Sequence, residues 1–203
     1  TSKDKKNLPL IKHVESLGLS CEQGSEDDVL DRYIQVAESN QAEVVVRITG
    51  DCPLVDPILV DKCIEKFIQL DVDYCSNCLE PTYPEGLDVE VFSMQALQKT
   101  YNEARLASET EHLTPFMTNN PEKFHTLNFE CYEDLSSWRW TVDKPADLIF
   151  MKKIFAHFKN EPLAGYRQIV DFIKANPDLL KINAGTVRFE GYLKSVKLET
   201  KPC

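Results

Sequence analysis

Several features that would place this chain in a special class are missing from its sequence. No apolar run approaches the length that crosses a membrane, and no signal-peptide pattern opens the chain, so a cytoplasmic location without membrane contact is expected. The 23 Lys and Arg residues are outnumbered by 33 Asp and Glu residues, which gives a formal net charge of -10. Such a balance argues against a nucleic-acid-binding surface, which needs a basic face. A nucleotide substrate is still allowed, because a divalent cation can neutralise phosphates locally.

Metal-binding and phosphate-binding signatures are also scarce. Of the seven Cys residues, only Cys75 and Cys78 are closely spaced, and a structural zinc site needs further ligands at suitable spacing. The cysteines are therefore expected to be reduced. No P-loop signature occurs, which disfavours ordinary P-loop NTPase chemistry. The 203 residues, of which 42% are hydrophobic and 28% charged, are typical of an ordinary globular protein.

A β-branched run followed by a turn organises the rest of the chain. Residues 44–48 (VVVRI) predict a strand that is buried on both faces, as in a parallel sheet. Gly50 and Pro53 end this strand, because glycine allows a tight turn and proline cannot continue a ladder. Asp51 is therefore expected at the carboxyl end of a central strand, the edge where open α/β sheets bind ligands. A purely structural role in capping the turn is the alternative.

Helical and strand patterns alternate on both sides of this stretch. In the first half, helices are predicted at residues 8–17, 25–37 and 57–68, and strands at residues 19–22, 43–48 and 72–75. This order favours a parallel sheet with crossover helices. Further strands are predicted at residues 87–91, 124–130 and 138–143, and further helices at residues 93–105, 145–158 and 166–175. No repeat or linker interrupts the pattern, so a single domain over residues 1–203 is predicted.

Acidic residues recur at the predicted strand ends. Asp143 closes a predicted strand and precedes Pro145, which starts a helix, so its local context matches that of Asp51. Because the ends of parallel strands meet at one edge of a sheet, the two carboxylates are expected close enough to share a cation. Asp88 and Glu90 share one face of another strand, and this face lines either solvent or the cleft.

The segment at residues 108–115 carries two further candidates. Ser108 and Glu111 have capping-box spacing, which gives Glu111 a purely structural explanation. His112 could be a base, a ligand for a carboxylate or phosphate, or a surface residue. Pro115 interrupts the helical pattern soon after, so the segment is expected to be a short turn over a cleft.

Six motifs resemble those of the cytidylyltransferases that activate acidic sugars. They cover nearly the whole chain: GSEDDVLDRY at 24–33, RITGDCPL at 47–54, PTYPEGLDVEVF at 81–92, SETEHLTP at 108–115, RWTVD at 139–143 and EGYLKS at 190–195. The strongest likeness is to the spore-coat polysaccharide branch, which is related to the acylneuraminate and 3-deoxy-manno-octulosonate enzymes. The resemblance implies a three-layer, Rossmann-like nucleotidyltransferase fold with a mostly parallel central sheet.

The resemblance also implies a function and a set of residues that perform it. A cytidylyl group would pass from CTP to an acidic sugar, with Mg²⁺ as cofactor. Asp51 and Asp143 would be catalytic and hold the metal, and the nucleotide would be bound by Ser25, Arg32, Thr49 and Gly50. The sugar would be bound in one pocket by Asp88, Glu111, His112 and Arg139, with the arginine as a bidentate partner of its carboxylate. A homodimer is compatible with this interpretation.

One family feature is absent from the sequence. Enzymes of this kind begin with a strand and a basic, glycine-containing loop that holds the triphosphate, and no such segment precedes residue 8. We therefore expect a truncated chain with weak affinity for CTP and an exposed apolar edge beside the strand at residues 44–48. Two alternatives stay open: a non-catalytic protein with a degenerate nucleotidyltransferase fold, and a nucleotidyltransferase that uses another nucleotide or sugar.

Overall fold

The structure is a computed structural model that describes residues 1–161 and 163–199. Its strands are β1 (Val44–Arg47), β2 (Tyr74–Ser76), β3 (Glu90–Ser93) and β4 (Thr126–Asn128). Its α-helices are α1 (Leu8–Ser16), α2 (Val29–Ser39), α3 (Pro57–Leu70), α4 (Met94–Glu103), α5 (Ala107–His112), α6 (Pro115–Asn119), α7 (Pro145–His157), α8 (Tyr166–Ala175) and α9 (Glu190–Glu199). Within the described ranges, no helix is both long enough and apolar enough to cross a membrane.

The four strands form one sheet in the order β1-β3-β2-β4. β2 is antiparallel to β3, with Cys75 opposite Val91, and parallel to β4, with Cys75 opposite Leu127. The sheet is therefore mixed and mostly antiparallel, and the prediction of a mostly parallel sheet is wrong. The reason lies in the connection at residues 77–89, which contains no helix. A parallel neighbour needs a crossover, usually helical, whereas a loop can return the chain in the opposite direction.

The prediction that β1 is buried on both faces is also wrong. β1 is the first strand in the sheet order, and Val44 and Val46 keep 41% and 38% of their surface exposed. In the described part of the chain β1 is thus an edge strand with apolar side chains, which is the exposed edge expected from the sequence. A β-branched run alone cannot distinguish a central strand from such an edge.

The chain divides into two compact units. The first unit comprises Thr1–Val45, Ser93–His125 and the residues from Phe189 onward. Within it, α2 packs against α4 and α5, and α5 packs against α9. The N-cap of α2 is Asp28, whose carboxylate accepts a hydrogen bond from the Asp31 N–H at 2.8 Å. The predicted helix begins at residue 25, but the helix observed starts at Val29, and the Ser25 hydroxyl accepts a bond from the Asp28 N–H at 3.1 Å.

The second unit comprises Val46–Phe92 and Thr126–Arg188. Its core is a cluster of buried side chains that includes Cys63, Phe67, Trp140 and Phe150. Trp140 is fully buried, and the partly buried Trp138 packs against the same cluster. The strand predicted at residues 138–143 is reduced to a single bridge between Glu85 and Arg139.

The start of α3 has two residues that are typical of a helix N-terminus. Asp56 is the N-cap and Pro57 the first helical residue, with the Asp56 carboxylate accepting a bond from the Ile58 N–H at 2.8 Å. Its second oxygen accepts a bond from the N–H of Tyr166, the first residue of α8, at 2.7 Å. One buried carboxylate therefore accepts N–H groups at the start of two helices of the second unit. It sets the position at which α3 begins, a few residues after the turn that contains Asp51.

Candidate functional site

Asp51 and Asp143 are brought together by a backbone hydrogen bond. The N–H of Val142 donates to the carbonyl of Asp51 at 2.9 Å, and Asp143 is the next residue in the chain. Asp51 lies in a turn closed by the Cys52 N–H and the Thr49 carbonyl at 3.2 Å. The Asp143 side chain is half exposed. Residues 138–143 do not form the predicted strand, but the backbone segments that contain Asp51 and Asp143 are hydrogen-bonded to each other; that their carboxylates share a cation stays a prediction.

Gly50, within the same turn, has no conformational reason to be glycine. Its φ is not in the left-handed region, and a Cβ built on it would meet no atom within 4 Å. The expectation that this turn needs the backbone freedom of glycine is therefore wrong. What glycine leaves at this position is open space beside the backbone, next to the Asp51 turn.

Cys52 is a buried thiol between acidic groups. The pKa of Cys52 is raised to about 12, mainly by burial; a hydrogen bond with Thr49 opposes the shift, and the negative charges of Asp51 and Asp88 add to it. The thiol is therefore neutral at physiological pH and is not an activated nucleophile. Since Asp51 and Asp88 both act on this thiol, the structure also brings these two carboxylates into one neighbourhood.

Arg139 is engaged by carboxylates of the chain itself. It is buried, its Nε and Nη2 donate to the two oxygens of Asp147 at 3.0 and 3.1 Å, and its Nη1 donates to Glu85 at 2.7 Å. Nη2 also donates to Asp143, whose same oxygen accepts a bond from the Thr141 hydroxyl at 3.2 Å. All three guanidinium nitrogens are thus in use, and direct contact with a sugar carboxylate would require an exchange of partners.

The protonation states of this cluster follow from its bonds. Burial on its own would raise the pKa of Asp147, but hydrogen bonds from Arg139, Asn183 and the backbone hold it at about 2. In the same way, burial would lower the pKa of Arg139, and the carboxylates of Asp147 and Glu85 raise it instead. Asp147 is therefore ionised throughout the physiological range. Sequence reasoning did not identify Asp147 as a partner of Arg139, and Asn183 lies 44 residues from the arginine, beyond any local pattern.

Asp88 is paired with Arg188, a residue that sequence analysis did not single out. Arg188 donates to the Asp88 carboxylate and to the Tyr83 carbonyl, the latter at 3.0 Å. Burial raises the pKa of Asp88 to about 6, and the Arg188 charge opposes that shift. A sequence separation of 100 residues gave no signal for this pair.

Arg32, predicted to bind the nucleotide, has one unusual feature. The aliphatic stem of Arg32 lies so close to Gly24 that a Cβ on the glycine would be 2.5 Å from Arg32 Cγ. The Arg32 Nε is buried and has no hydrogen-bond partner among the described residues. Buried donors are rarely left unsatisfied, and a bound ligand or water is an ordinary explanation. This observation fits a ligand-binding role for Arg32.

Glu111 and His112 meet Ser195 of α9. The Ser195 hydroxyl is 2.7 Å from Glu111 Oε2 and 3.0 Å from His112 Nε2. The capping-box explanation for Glu111 is wrong, because it is the Glu109 carboxylate that accepts the N–H groups of Arg105 and Leu106 at 2.9 and 3.0 Å. Glu111 and His112 belong to the first unit, whereas Asp88 and Arg139 belong to the second, so their convergence in one pocket stays a prediction.

A cleft of about 650 Å³ in the second unit is lined by other residues. Tyr83, Tyr132 and Tyr166 contribute aromatic surface, and Arg167 and Lys174 are among its cations. Lys174 is paired with an acidic neighbour, and Arg167 bonds to the Tyr166 hydroxyl at 3.3 Å. None of the candidate residues from the sequence lines this cleft, so its size alone does not make it the site of the chemistry.

Metal-binding capacity at Asp51 and Asp143 is limited to two carboxylates. Within residues 1–161 and 163–199, no group of three or more His, Cys, Asp or Glu side chains is arranged to hold a metal ion. Mg²⁺ is usually bound by one or two carboxylates, with water and substrate phosphates completing the shell. The donor set therefore fits a magnesium ion that arrives with a nucleotide, and not a closed structural site.

An α/β fold with two acidic residues on hydrogen-bonded backbone segments is compatible with a nucleotidyltransferase. The family model for cytidylyltransferases matches residues 2–177, and the chain belongs to this family. This result confirms the family predicted from the motifs. The motif at residues 190–195 lies beyond the matched segment.

Individual proteins are similar to this chain over most of its length. A cytidylyltransferase structure from Leptospira borgpetersenii superposes with a TM-score of 0.87 at 28% identity, over 92% of this chain and 79% of that one. The protein MJ1063 of Methanocaldococcus jannaschii is 34% identical over 95% of this chain and 78% of its own length. The spore coat polysaccharide biosynthesis protein SpsF of Bacillus subtilis is 27% identical over 83% of this chain and 70% of its own length. The Rossmann-like nucleotidyltransferase fold is thereby confirmed.

Proposed function

We propose that the protein transfers a cytidylyl group from CTP to an acidic sugar, yielding a CMP-sugar and pyrophosphate for surface polysaccharide synthesis. The anomeric hydroxyl of the sugar attacks the α-phosphorus, a new O–P bond forms, and the bond to the β-phosphate breaks. Such transfers depend on in-line positioning and on neutralisation of phosphate charge. The family supports the nucleotidyl transfer, and the relative named for spore-coat polysaccharide supports the pathway class.

The observation that carries the proposal is the hydrogen bond between Val142 and Asp51. It joins the backbone segments of Asp51 and Asp143, which are 92 positions apart in the sequence (143 − 51). The Arg139 guanidinium holds one oxygen of Asp143, which orients the carboxylate. A magnesium ion held by the two carboxylates would neutralise phosphate charge and align the triphosphate. The chain itself contributes the hydrogen-bonded turn that contains Asp51 and the open space beside Gly50.

We assign nucleotide binding and sugar binding to different sets of residues. Arg32, with its buried and unsatisfied Nε, is proposed to contact the nucleotide, together with Ser25, Thr49 and Gly50. Asp88, Glu111 and His112 are proposed to contact the sugar. Arg139 is proposed to act on the sugar through Asp143 and Glu85 and not directly, since its nitrogens are occupied.

A turnover assay with defined substrates tests the proposal. The protein, expressed from its natural start, is incubated with Mg²⁺ and CTP, UTP or ATP, together with 3-deoxy-manno-octulosonate, N-acetylneuraminate or a neutral hexose. Pyrophosphate release and the mass of the nucleotide-sugar are measured. We expect product with CTP and an acidic sugar. Preference for UTP, ATP or the neutral hexose would indicate a different nucleotidyltransferase, and no turnover with any pair would indicate a non-catalytic protein.

The Asp51→Asn substitution tests the metal role. We expect turnover to fall by at least roughly 100-fold, about 3 kcal/mol of transition-state stabilisation, because one ligand charge is lost. Asp61→Asn is the matched control, since Asp61 is an exposed carboxylate on α3. Full activity in Asp51→Asn, or an equal loss in Asp61→Asn, would contradict the role assigned to Asp51.

A further inference from the structure

The cleft of about 650 Å³ in the second unit holds two cations without a carboxylate partner. Lys62 of α3 and Arg167 of α8 both line it. In the described part of the chain, neither side chain forms an ion pair or donates a hydrogen bond to a carboxylate. Buried charges are ordinarily paired, and Lys62 is half-buried. Both cations are therefore available to an anionic ligand.

The two cations flank a pair of touching tyrosine rings. Lys62 Nζ donates to the Tyr83 hydroxyl at 3.3 Å and lies 5.9 Å from the centre of that ring. Arg167 Nε donates to the Tyr166 hydroxyl at 3.3 Å, and its Cζ lies 5.9 Å from the centre of the Tyr166 ring. The two rings pack edge to face with their centres 5.7 Å apart. The positive groups therefore belong to one patch of the cleft wall, and each keeps further N–H groups for a ligand.

The Tyr83 hydroxyl does not compensate the Lys62 charge. Burial raises the pKa of Tyr83, and the charge of Arg167 opposes that shift. The phenol is therefore neutral at physiological pH. It accepts the bond from Lys62 and donates its own proton to the Glu130 carbonyl at 3.3 Å. This chain of hydrogen bonds holds the lysine at the buried Tyr83 ring and leaves its charge for a ligand.

Acidic side chains in the same cleft restrict the kind of ligand. Glu133 is paired with Lys174. Glu130 and Asp171 also line the cleft, and neither carboxylate has a hydrogen bond or an ion pair among the described residues. These two carboxylates repel a ligand with several negative charges, such as a nucleoside triphosphate, but they accept hydrogen bonds from hydroxyl groups. The cleft therefore suits a ligand that combines one oxyanion with hydroxyl groups and a ring that packs against tyrosine.

We infer that this cleft binds a saccharide that carries one carboxylate or phosphate group. The oxyanion contacts Lys62 and Arg167, the sugar hydroxyls donate to Glu130 and Asp171, and the sugar ring packs on the tyrosine rings. A concave site of several hundred Å³ with a few convergent polar groups is typical of small-molecule binding. None of the residues assigned to cytidylyl transfer lines the cleft, so the inference goes beyond the proposed function and does not depend on it.

Titration of the protein, expressed from its natural start, with D-glucuronate, glucose 6-phosphate and glucose tests the inference. The first sugar carries a carboxylate, the second a phosphate and the third neither. We expect at least one anionic sugar to bind with a Kd of about 1 mM or below and to shift the amide NMR signals of Tyr166 and Arg167. Glucose should bind at least about 10-fold more weakly. The anionic sugar that binds more tightly identifies the oxyanion. If neither anionic sugar binds, or if glucose binds equally well, the inference is wrong.

Variants that remove one charge locate the ligand. Lys62→Gln and Arg167→Gln should each weaken binding of the anionic sugar about 10-fold, equivalent to ~1.4 kcal/mol. Arg167 is exposed, so its variant should fold even if Lys62→Gln does not. Lys66→Gln is the matched control, because Lys66 lies one turn further along α3 and does not line the cleft. It should change the Kd by less than about 2-fold. An equal loss in Lys66→Gln, or none in Arg167→Gln, would overturn the inference.

Asp51→Asn separates this cleft from the proposed transfer reaction. Binding of the anionic sugar should be unchanged in this variant. If binding is lost, the sugar occupies the transfer site and the inference is wrong. If wild type turns over no substrate but binds the anionic sugar at Tyr166 and Arg167, only the proposed function fails.

Discussion

Asp147 accepts two hydrogen bonds from Arg139, from Nε at 3.0 Å and from Nη2 at 3.1 Å, and both side chains are buried. Such a bidentate ion pair is rigid, because the donors of the planar guanidinium match the positions of the two carboxylate oxygens. Arg139 uses the same Nη2 to hold Asp143. The Asp147 carboxylate also accepts the N–H groups of Asp143 and Lys144, at 3.1 and 2.9 Å. A candidate metal ligand is therefore held in place by a buried ion pair that sequence analysis did not predict.

Asp147→Asn should be strongly destabilising. The substitution leaves the buried Arg139 charge with fewer compensating carboxylates, and breaking such a pair costs roughly 3 kcal/mol or more. Urea denaturation at neutral pH measures the change in unfolding free energy. Asp61→Asn, on an exposed helix surface, should change it by less than about 0.5 kcal/mol. A loss below about 1 kcal/mol in Asp147→Asn would contradict the importance of this pair.

The same carboxylate predicts a pH dependence. The pKa of Asp147 is about 2 in the folded protein against an ordinary 3.8, so the unfolded chain binds its proton more readily. The stabilisation from the ionised group is therefore present above pH 4 and is lost as the pH falls through about 2. We expect the difference in unfolding free energy between wild type and Asp147→Asn to be constant from pH 5 to 7. It should shrink by roughly 2 kcal/mol as the pH is lowered to about 2, and a difference independent of pH would contradict the assignment.

Gly50→Ala and Gly86→Ala should have opposite effects on stability. At Gly50 a Cβ meets no atom within 4 Å, so alanine should leave stability unchanged or raise it by up to about 1 kcal/mol. At Gly86, φ is +104° and a Cβ would lie 2.5 Å from the Trp140 carbonyl oxygen, so alanine should cost more than about 1 kcal/mol. Thermal denaturation compares the two.

The Gly50 variant also tests the nucleotide site. If the open space beside Gly50 admits a phosphate or ribose, the added methyl group should weaken CTP binding although the fold is intact. Calorimetric titration with CTP and Mg²⁺ measures this, with wild type as reference. Unchanged affinity in a stable Gly50→Ala protein would remove Gly50 from the nucleotide-binding residues.

Asp88 predicts a pH dependence of the opposite sign. Burial raises its folded pKa from 3.8 to about 6, so the folded protein binds this proton more tightly than the unfolded chain. Its contribution to stability is fully present below about pH 4 and is lost as the pH rises through about 6. In Asp88→Asn this component should vanish, which urea denaturation between pH 4 and 7.5 would show. Arg188→Gln should raise the pKa of Asp88 further, because the arginine charge opposes the shift, and a lowered pKa would contradict the pairing.

Local signals explain what could be predicted without the structure. The start of α3 follows from Asp56 and Pro57, because a capping carboxylate and a proline act within one helical turn. α8 occupies Tyr166–Ala175, the predicted range. This range could be predicted because the apolar residues of the helix are followed directly by Asn176-Pro177, which ends it. The family, too, was readable from contiguous motifs. Each of these features depends on residues that are close together along the chain.

The amino-acid sequence by itself thus determined the cytidylyltransferase family and most helix positions. Only the tertiary structure decided that β1 is an edge strand and that β3 runs antiparallel to β2, because strand order depends on how connections pack and not on strand composition. It also decided the partners of the site residues: Arg188 for Asp88, and Ser195 for Glu111 and His112. Those contacts join residues more than 80 positions apart, and hydrogen bonds at that separation exist only once the intervening chain has folded.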